Sequence, residues 1–568
     1  MRFWGTLAAM RPLPRRSGQV VSGSSVSRVR VDNKSKYMRS QTIGALFVAL
    51  SGLGFSATGF AQDTLVYCPE SSPEGFDPAL YTSGTTFDAS SRQIYNRLVA
   101  FEQGTTVIKP ALAESYAISD DGLEYTFKLR EGVEFHTTEY FTPTREFNAT
   151  DVVFSFERQR LAENPYHEVS GGSWEHFSGM SMPDLIESIE ALDDFTVKFT
   201  LTRPESPMIA NLAMDFASIL SAEYASLQLE AGTPEKLNQQ PIGTGPFKFV
   251  SYEQDTLIRY QAHENYWAGK AAIDNLHFAI TPDKAVAHQR LNSGECHVLS
   301  YLDPEDIALM QAEADITVLE QPSLNISYLA YNTMVPPFDN VNVRRALNMA
   351  INKSAIVEAV YDGMGTVAKN AIPPTVWSYN DAIADSPYDP EKAREMLLAE
   401  GVSDLKMKIW LVPVVRQHNP NALRMAELLR QDFALVGVDV EIVEYERGEF
   451  LRLSRELDRD GAVLMGWTGD NGDPDNFLAV LLSCDAVGNA NRAQWCYTPF
   501  DDLIQRAKVV TDPVERSRLY EEAQFIFKEQ APWATIAHSL VFKAIRNEVH
   551  DFVIDPFGGH IFYGVSLK

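Results

Sequence analysis

Membrane-spanning length is the first thing this sequence lacks. No apolar run approaches the 18 or so residues a spanning helix needs, and the one that stands out, Ile43 to Ala57, is about 15 residues long and broken by glycine. Basic side chains are outnumbered, 49 Lys and Arg against 76 Asp and Glu. Residues 1–61 hold nine of the basic side chains and a single acid, Asp32, so the remainder carries 40 against 75 and a net charge near −35. Such a surface repels phosphate backbones and anionic headgroups, which argues against nucleic acid or an acidic membrane as partner. Cysteine is scarce as well: there are four, none in a C-x-x-C pair and none with histidine at ligand spacing, so the pattern of a zinc site is missing. Hydrolase signatures are absent, with no G-x-S-x-G elbow, no H-E-x-x-H helix and eleven scattered histidines. His136 and Glu139 share an i, i+3 spacing that reads as surface chemistry. Gly243-Thr244-Gly245 lacks a third glycine and runs into Pro246 where a phosphate-binding helix would begin.

What is present describes an exported globular chain. At 568 residues, with 45% hydrophobic and 22% charged side chains, it is too long for one core and divides into several lobes. Lys34, Lys36 and Arg39 precede the apolar segment, and Thr58-Gly59-Phe60-Ala61 follows it. Residues 38–61 therefore read as a signal peptide cut after Ala61, with 1–37 an upstream extension and Met38 the start. Arg15-Arg16 lies too far from the apolar segment for a twin-arginine signal. No cysteine follows the cut, so no lipid anchor is indicated. Cys68, Cys296, Cys484 and Cys496 all lie beyond it, and an even count in an exported chain reads as two disulfides. Three pairings are possible; the short loop from Cys484 to Cys496 is the favoured closure, which leaves Cys68 with Cys296.

Hydrophobic periodicity sets out strands and helices in alternation. Thr64 to Cys68 and Tyr125 to Leu129 read as strands, and Pro69 to Thr86 as turn-rich. Asn148 caps a helix running through Phe156, with Asp151 as its capping-box partner. Alternating strands follow the turn cluster Pro241 to Phe247, up to about Ala262. Beyond residue 320 the pattern is α/β: a strand at Tyr328 to Asn332, helices over Asn342 to Ile351 and Leu423 to Leu435, and strands at Val438 to Val443 and Ala462 to Met465.

The last of these strands delivers Gly466-Trp467-Thr468-Gly469-Asp470-Asn471-Gly472-Asp473-Pro474-Asp475-Asn476. Three glycines and a proline predict an irregular loop that sets an aromatic face three residues from an acid. A carboxylate beside a π-face suits a buried ammonium ligand; the plainer alternative is an acidic surface turn. A calcium loop is excluded because, counting Asp470 as the first position, the glycine stands third, where such a loop needs it sixth. Ligands gather beyond the carboxyl ends of strands in α/β sheets, which is where this loop lies.

Several segments together resemble the family 5 solute-binding proteins of ABC importers: Ser72 to Pro78, Ala111 to Glu157, Pro241 to Phe247, Val343 to Leu347, Gly466 to Phe477 and Ala531-Pro532. Tyr81 to Thr86, the tryptophan and acid loop and both cysteine pairs resemble the dipeptide branch. The resemblance implies an α/β, bilobal periplasmic-binding-protein fold of the large cluster, with an extra third lobe and hinge crossovers. It implies lobe I from 62–95, 240–320 and 541–568, lobe II from 96–239 and lobe III from 321–540. It implies a periplasmic, monomeric carrier with no cofactor that hands a dipeptide to an inner-membrane permease, and a chemoreceptor as a further partner. In that scheme Asp470 takes the peptide ammonium, Arg416 its carboxylate, Trp467, Thr468 and Gly469 line the pocket, and Thr82 contributes from the opposite lobe. Gln417 and His418 stand where the dipeptide pattern has Pro-Tyr, which leaves side-chain preference open. Haem, glutathione or a metal chelate on the same scaffold is the alternative, with His418 as the residue for haem, and a secreted peptide hydrolase is the rival outside it.

Overall fold

The computed structural model describes residues 63–568 apart from 173, 300, 301, 303 and 415, so the extension, signal peptide and cleavage site expected over 1–61 lie outside the described residues. Its frame is a 12-stranded sheet. In chain order the strands are β1 (Thr64–Cys68), β2 (Phe247–Glu253), β3 (Leu257–Ala262), β4 (Asn275–Ala279), β5 (Val298–Leu299), β6 (Ile316–Pro322), β7 (Asn325–Tyr331), β8 (Gly365–Val367), β9 (Lys406–Leu411), β10 (Asp439–Glu444), β11 (Ala462–Thr468) and β12 (Trp533–Arg546). Their spatial order is β10-β9-β11-β7-β12-β5-β1-β4-β3-β2, with β6 and β8 also paired to β12.

The 14-residue β12 joins two halves. Trp533 to Ala537 pair with β7, and Leu540 to Arg546 pair with β6. The chain crosses between the halves a second time from β6 to β7. A buried polar knot ties the crossovers together: Ser323 N donates to Ser539 O at 3.1 Å, and Asn325 Nδ2 donates to Ser323 Oγ at 2.9 Å and to Ser539 Oγ at 2.8 Å. Ser539 N in turn donates to Asn325 Oδ1 at 3.1 Å. Each of these groups would cost free energy if buried without a partner.

Alternation along β7 shows why its half is covered on both faces. Leu329 and Tyr331 point into one core with Leu347, Met425 and Phe433, whereas Ile326, Tyr328 and Ala330 point into another with Phe477, Leu481 and Trp533. The other half shares a third core with a four-stranded antiparallel sheet of Ala113–Ile118, Glu124–Leu129, Thr196–Leu201 and Ile186–Asp193. A small satellite core of Leu291, Leu299, Met310, Ile316 and Ala544 surrounds the Cys68–Cys296 disulfide. Both expected disulfides are formed, with Cα separations of 6.0 Å for Cys68–Cys296 and 4.6 Å for Cys484–Cys496. Among the described residues no helix is long and apolar enough to cross a membrane.

Local signals translate directly. Asn148 caps the helix Ala149–Arg160 in a reciprocal box with Asp151, an arrangement worth about 1 kcal/mol. The helices Val341–Ala350 and Ala422–Leu435 fall within a residue of their expected limits. Two expectations are corrected. The tryptophan lies in regular structure, because β7 supplies ladder partners for Gly466, Trp467 and Thr468 and extends β11 through all three. His136 is fully buried, its Nε2 2.9 Å from Gly245 O and its ring edge-on to His263, so it shares no surface site with the exposed Glu139. Gly243 and Gly245 are a packing device, since a Cβ at either would collide with the Ile94 carbonyl group.

Candidate functional site

Strand β11 carries one end of the candidate site. Beyond Thr468 the chain leaves the sheet with Gly469 N donating to Leu324 O at 2.8 Å, and a Cβ on Gly469 would strike the Phe477 ring and Leu324. Asn476, at the start of the helix Asp475–Leu482, then organises the loop. Its Oδ1 accepts from Trp467 Nε1 and from Asp470 N, both at 3.0 Å, while its Nδ2 donates to Asp470 Oδ2 at 3.1 Å. One amide thus fixes the indole and the carboxylate relative to each other. Asn471 Nδ2 donates to Asn211 Oδ1 at 2.7 Å, which pins the same loop to the region that follows the four-stranded sheet. Burial raises the Asp470 carboxyl above its ordinary value, while the Asn476 hydrogen bond and the His176 charge draw it partly back. Among the described residues Asp470 forms no ion pair.

The second end is the turn Arg416–Asn419, closed by Arg416 N to Asn419 O at 3.1 Å and Asn419 N to Arg416 O at 3.0 Å. It sits on the sheet because His418 packs against Gly466, where a Cβ would overlap the imidazole, and because Tyr361 Oη donates to His418 O at 2.7 Å. Burial, with the Arg416 charge beside it, lowers the His418 imidazole to about 4, so the ring is neutral at physiological pH. Arg416 and Gln417 are exposed. Thr82 is exposed too, immediately before Ser83, whose side chain caps the helix Gly84–Ala89.

The two ends border different cavities. Asp470 lies on a tight one of about 60 Å³, together with Arg92, Arg97, Met214, Asp215 and Asp555. Arg416 and Gln417 lie on one of about 350 Å³. The structure brings Trp467, Thr468, Gly469 and Asp470 together on one strand end and sets His418 on Gly466 of that same strand, but no hydrogen bond or ion pair joins Thr82 or Arg416 to Asp470. Sequence reasoning missed Asn476 and His176. An asparagine six residues after the acid, on the first turn of a helix, was the available signal for Asn476; His176, about 290 residues away, left none.

Two sheet halves joined by one shared strand and a second crossover, with the Asp470 carboxylate and the exposed Arg416 guanidinium each bordering a cavity, define the class of a solute-binding protein. The chain belongs to the bacterial extracellular solute-binding proteins of family 5, whose family model, described as the middle part of these proteins, matches residues 107–489. It is 52% identical over 528 residues to the dipeptide-binding protein of Escherichia coli K12, covering 92% of this chain and 98% of that one. It is 49% identical over 512 residues to the heme-binding protein A of Haemophilus influenzae, covering 90% and 93%. Among solved structures, the dipeptide-binding protein of Pseudoalteromonas sp. SM9913 in complex with Met-Leu superposes with a TM-score of 0.70 at 39% identity, covering 89% of this chain and 100% of that one.

Proposed function

We propose that this protein captures dipeptides for an ABC importer, with Asp470 taking the ammonium and Arg416 the carboxylate. The observation that carries the proposal is the state of Asp470: a half-buried carboxylate, oriented by Asn476 and without an ion-pair partner among the described residues. A bound ammonium supplies the missing charge, and Arg416 offers a bidentate fork for the other terminus. Trp467, Thr468 and Gly469 line the space between, and Thr82 approaches from lobe I. The lobes expected from the resemblance, 62–95, 240–320 and 541–568, then 96–239, then 321–540, close on the ligand about the crossovers knotted by Asn325. Capture without chemical conversion agrees with the binding proteins it resembles, and a periplasmic location agrees with the signal peptide expected over 38–61.

Calorimetry with free and N-acetylated dipeptides tests the assignment. Free dipeptides bind and acetylated ones do not; equal binding of both removes Asp470 from the ammonium role. Release of free amino acids during incubation would favour the hydrolase. The second reading, haem, rests on the Haemophilus influenzae relative and on a neutral imidazole at His418. A Soret band that appears on titration with haem and is lost in His418→Ala would establish it.

A further inference from the structure

The two cavities are unequal in a way that bears on which dipeptides bind. The cavity on the Arg416 side, about 350 Å³, falls in the size range of small-molecule pockets, whereas the 60 Å³ beside Asp470 has little room beyond the charged groups that border it. The larger one is lined by Leu299, Leu302, Met310 and Leu540, with Ala287 on its wall. Its back is the satellite core around Cys68–Cys296, so a covalent bond braces the wall. Bracing keeps the side of the chamber made by Cys68, Leu299 and Met310 ordered before a ligand arrives, which lowers the ordering cost of filling it once the lobes close.

Charge sharpens the picture. Glu70, Asp306 and Lys284 border the chamber together with Arg416. Once Arg416 is neutralised by a peptide carboxylate, the remaining border carries two acids and one base, so an acidic side chain meets net repulsion there.

We infer that the chamber receives the side chain of the ligand's carboxyl-terminal residue, and that the protein selects a large apolar side chain at that position and rejects an acidic one. This rests on the assignment of the carboxylate to Arg416. The amino-terminal residue, beside the tight cavity, contributes little to selectivity.

Calorimetry of the full mature chain with Ala-Ala, Ala-Phe, Phe-Ala and Ala-Glu tests the inference. Burying one large apolar side chain makes Ala-Phe bind roughly 10- to 150-fold tighter than Ala-Ala. Phe-Ala gains only a minor part of that factor, and Ala-Glu binds more weakly than Ala-Ala. Ala287→Phe fills the chamber from its own wall and collapses the Ala-Phe to Ala-Ala ratio, read within the variant so that a general loss of affinity cancels. Leu302→Ala enlarges the chamber and shifts the optimum from Ala-Phe to Ala-Trp, which keeps the test open if the larger substitution fails to fold. Equal affinity for Ala-Ala and Ala-Phe, a gain carried by Phe-Ala instead, or an unchanged ratio in both variants overturns the chamber while dipeptide binding stands. Absence of binding by every free dipeptide overturns both.

Discussion

Replacing Asp470 by asparagine should move binding and stability in opposite directions. The carboxyl is raised by burial, so in the ligand-free protein its ionised form is less favourable than in the unfolded chain. The penalty is absent at pH values below the ordinary carboxylate range, grows as pH rises through that range, and is complete above the raised value. At neutral pH Asp470→Asn removes it while keeping a side-chain oxygen for Asn476 Nδ2, a contact of 3.1 Å in the native chain. The ligand-free variant should therefore melt no lower than the native protein. Binding behaves otherwise, because the peptide ammonium is left without its counter-charge. Breaking a buried pair from one side costs about 3 to 5 kcal/mol, a factor of roughly 100 to several thousand in affinity. Calorimetry across pH separates the contributions. Native affinity falls as pH drops toward the raised carboxyl value, and falls again above about 8 as the peptide amine loses its proton. The variant loses the acid limb and keeps the alkaline one only weakly. A variant that binds free dipeptides as the native chain does, or that is less stable without ligand, refutes the reasoning.

Four further outcomes are expected. Tripeptides should bind more weakly than dipeptides, because each added residue lengthens the chain by roughly 3.3 to 3.6 Å and one terminus must leave its partner; competition calorimetry checks this, and equal affinities would contradict it. Asn476→Ala removes three hydrogen bonds and should weaken dipeptide binding by about tenfold or more while shifting Trp467 fluorescence; an unchanged spectrum and affinity would remove its orienting role. Converting Cys484 and Cys496 to serine should cost about 3 kcal/mol in denaturant unfolding, and the longer loop from Cys68 to Cys296 about 5, as upper figures; the reverse ranking would show that chain entropy is not the governing cost. Saturating dipeptide should reduce the radius of gyration in solution scattering as the halves close, and superimposable profiles would argue against closure.

Features set by neighbours in sequence were legible before the structure was known. The cap at Asn148 and Asp151 and the strand Thr64–Cys68 depend on side chains within a few residues. Pairing partners distant in sequence were not. Gly466 to Thr468 look like loop because glycine weakens strands, yet Asn325, Ile326 and Ser327 hold them in the ladder from about 140 residues away. The burial of His136 depends on the Gly245 carbonyl, about 110 residues downstream. The tryptophan and acid loop pointed to ammonium chemistry from its residue types alone, whereas the separation of Asp470 and Arg416 onto unequal cavities follows from how β11, the 416–419 turn and β12 pack. Composition carries no record of that packing.

Strand β12 also bears on how the chain is made. It ends at Arg546 of 568 residues, and it is the strand on which both halves of the sheet depend. Until it emerges, β7 lacks a neighbour on one side, β8 and β6 have no partner, and β5 loses its antiparallel contact. The sheet that joins the two halves therefore cannot be completed until more than nine-tenths of the chain has been made. A copy truncated before Trp533 would be left with both halves of the sheet lacking the strand they share, so the last tenth of the chain decides whether the preceding nine-tenths can be assembled into one frame.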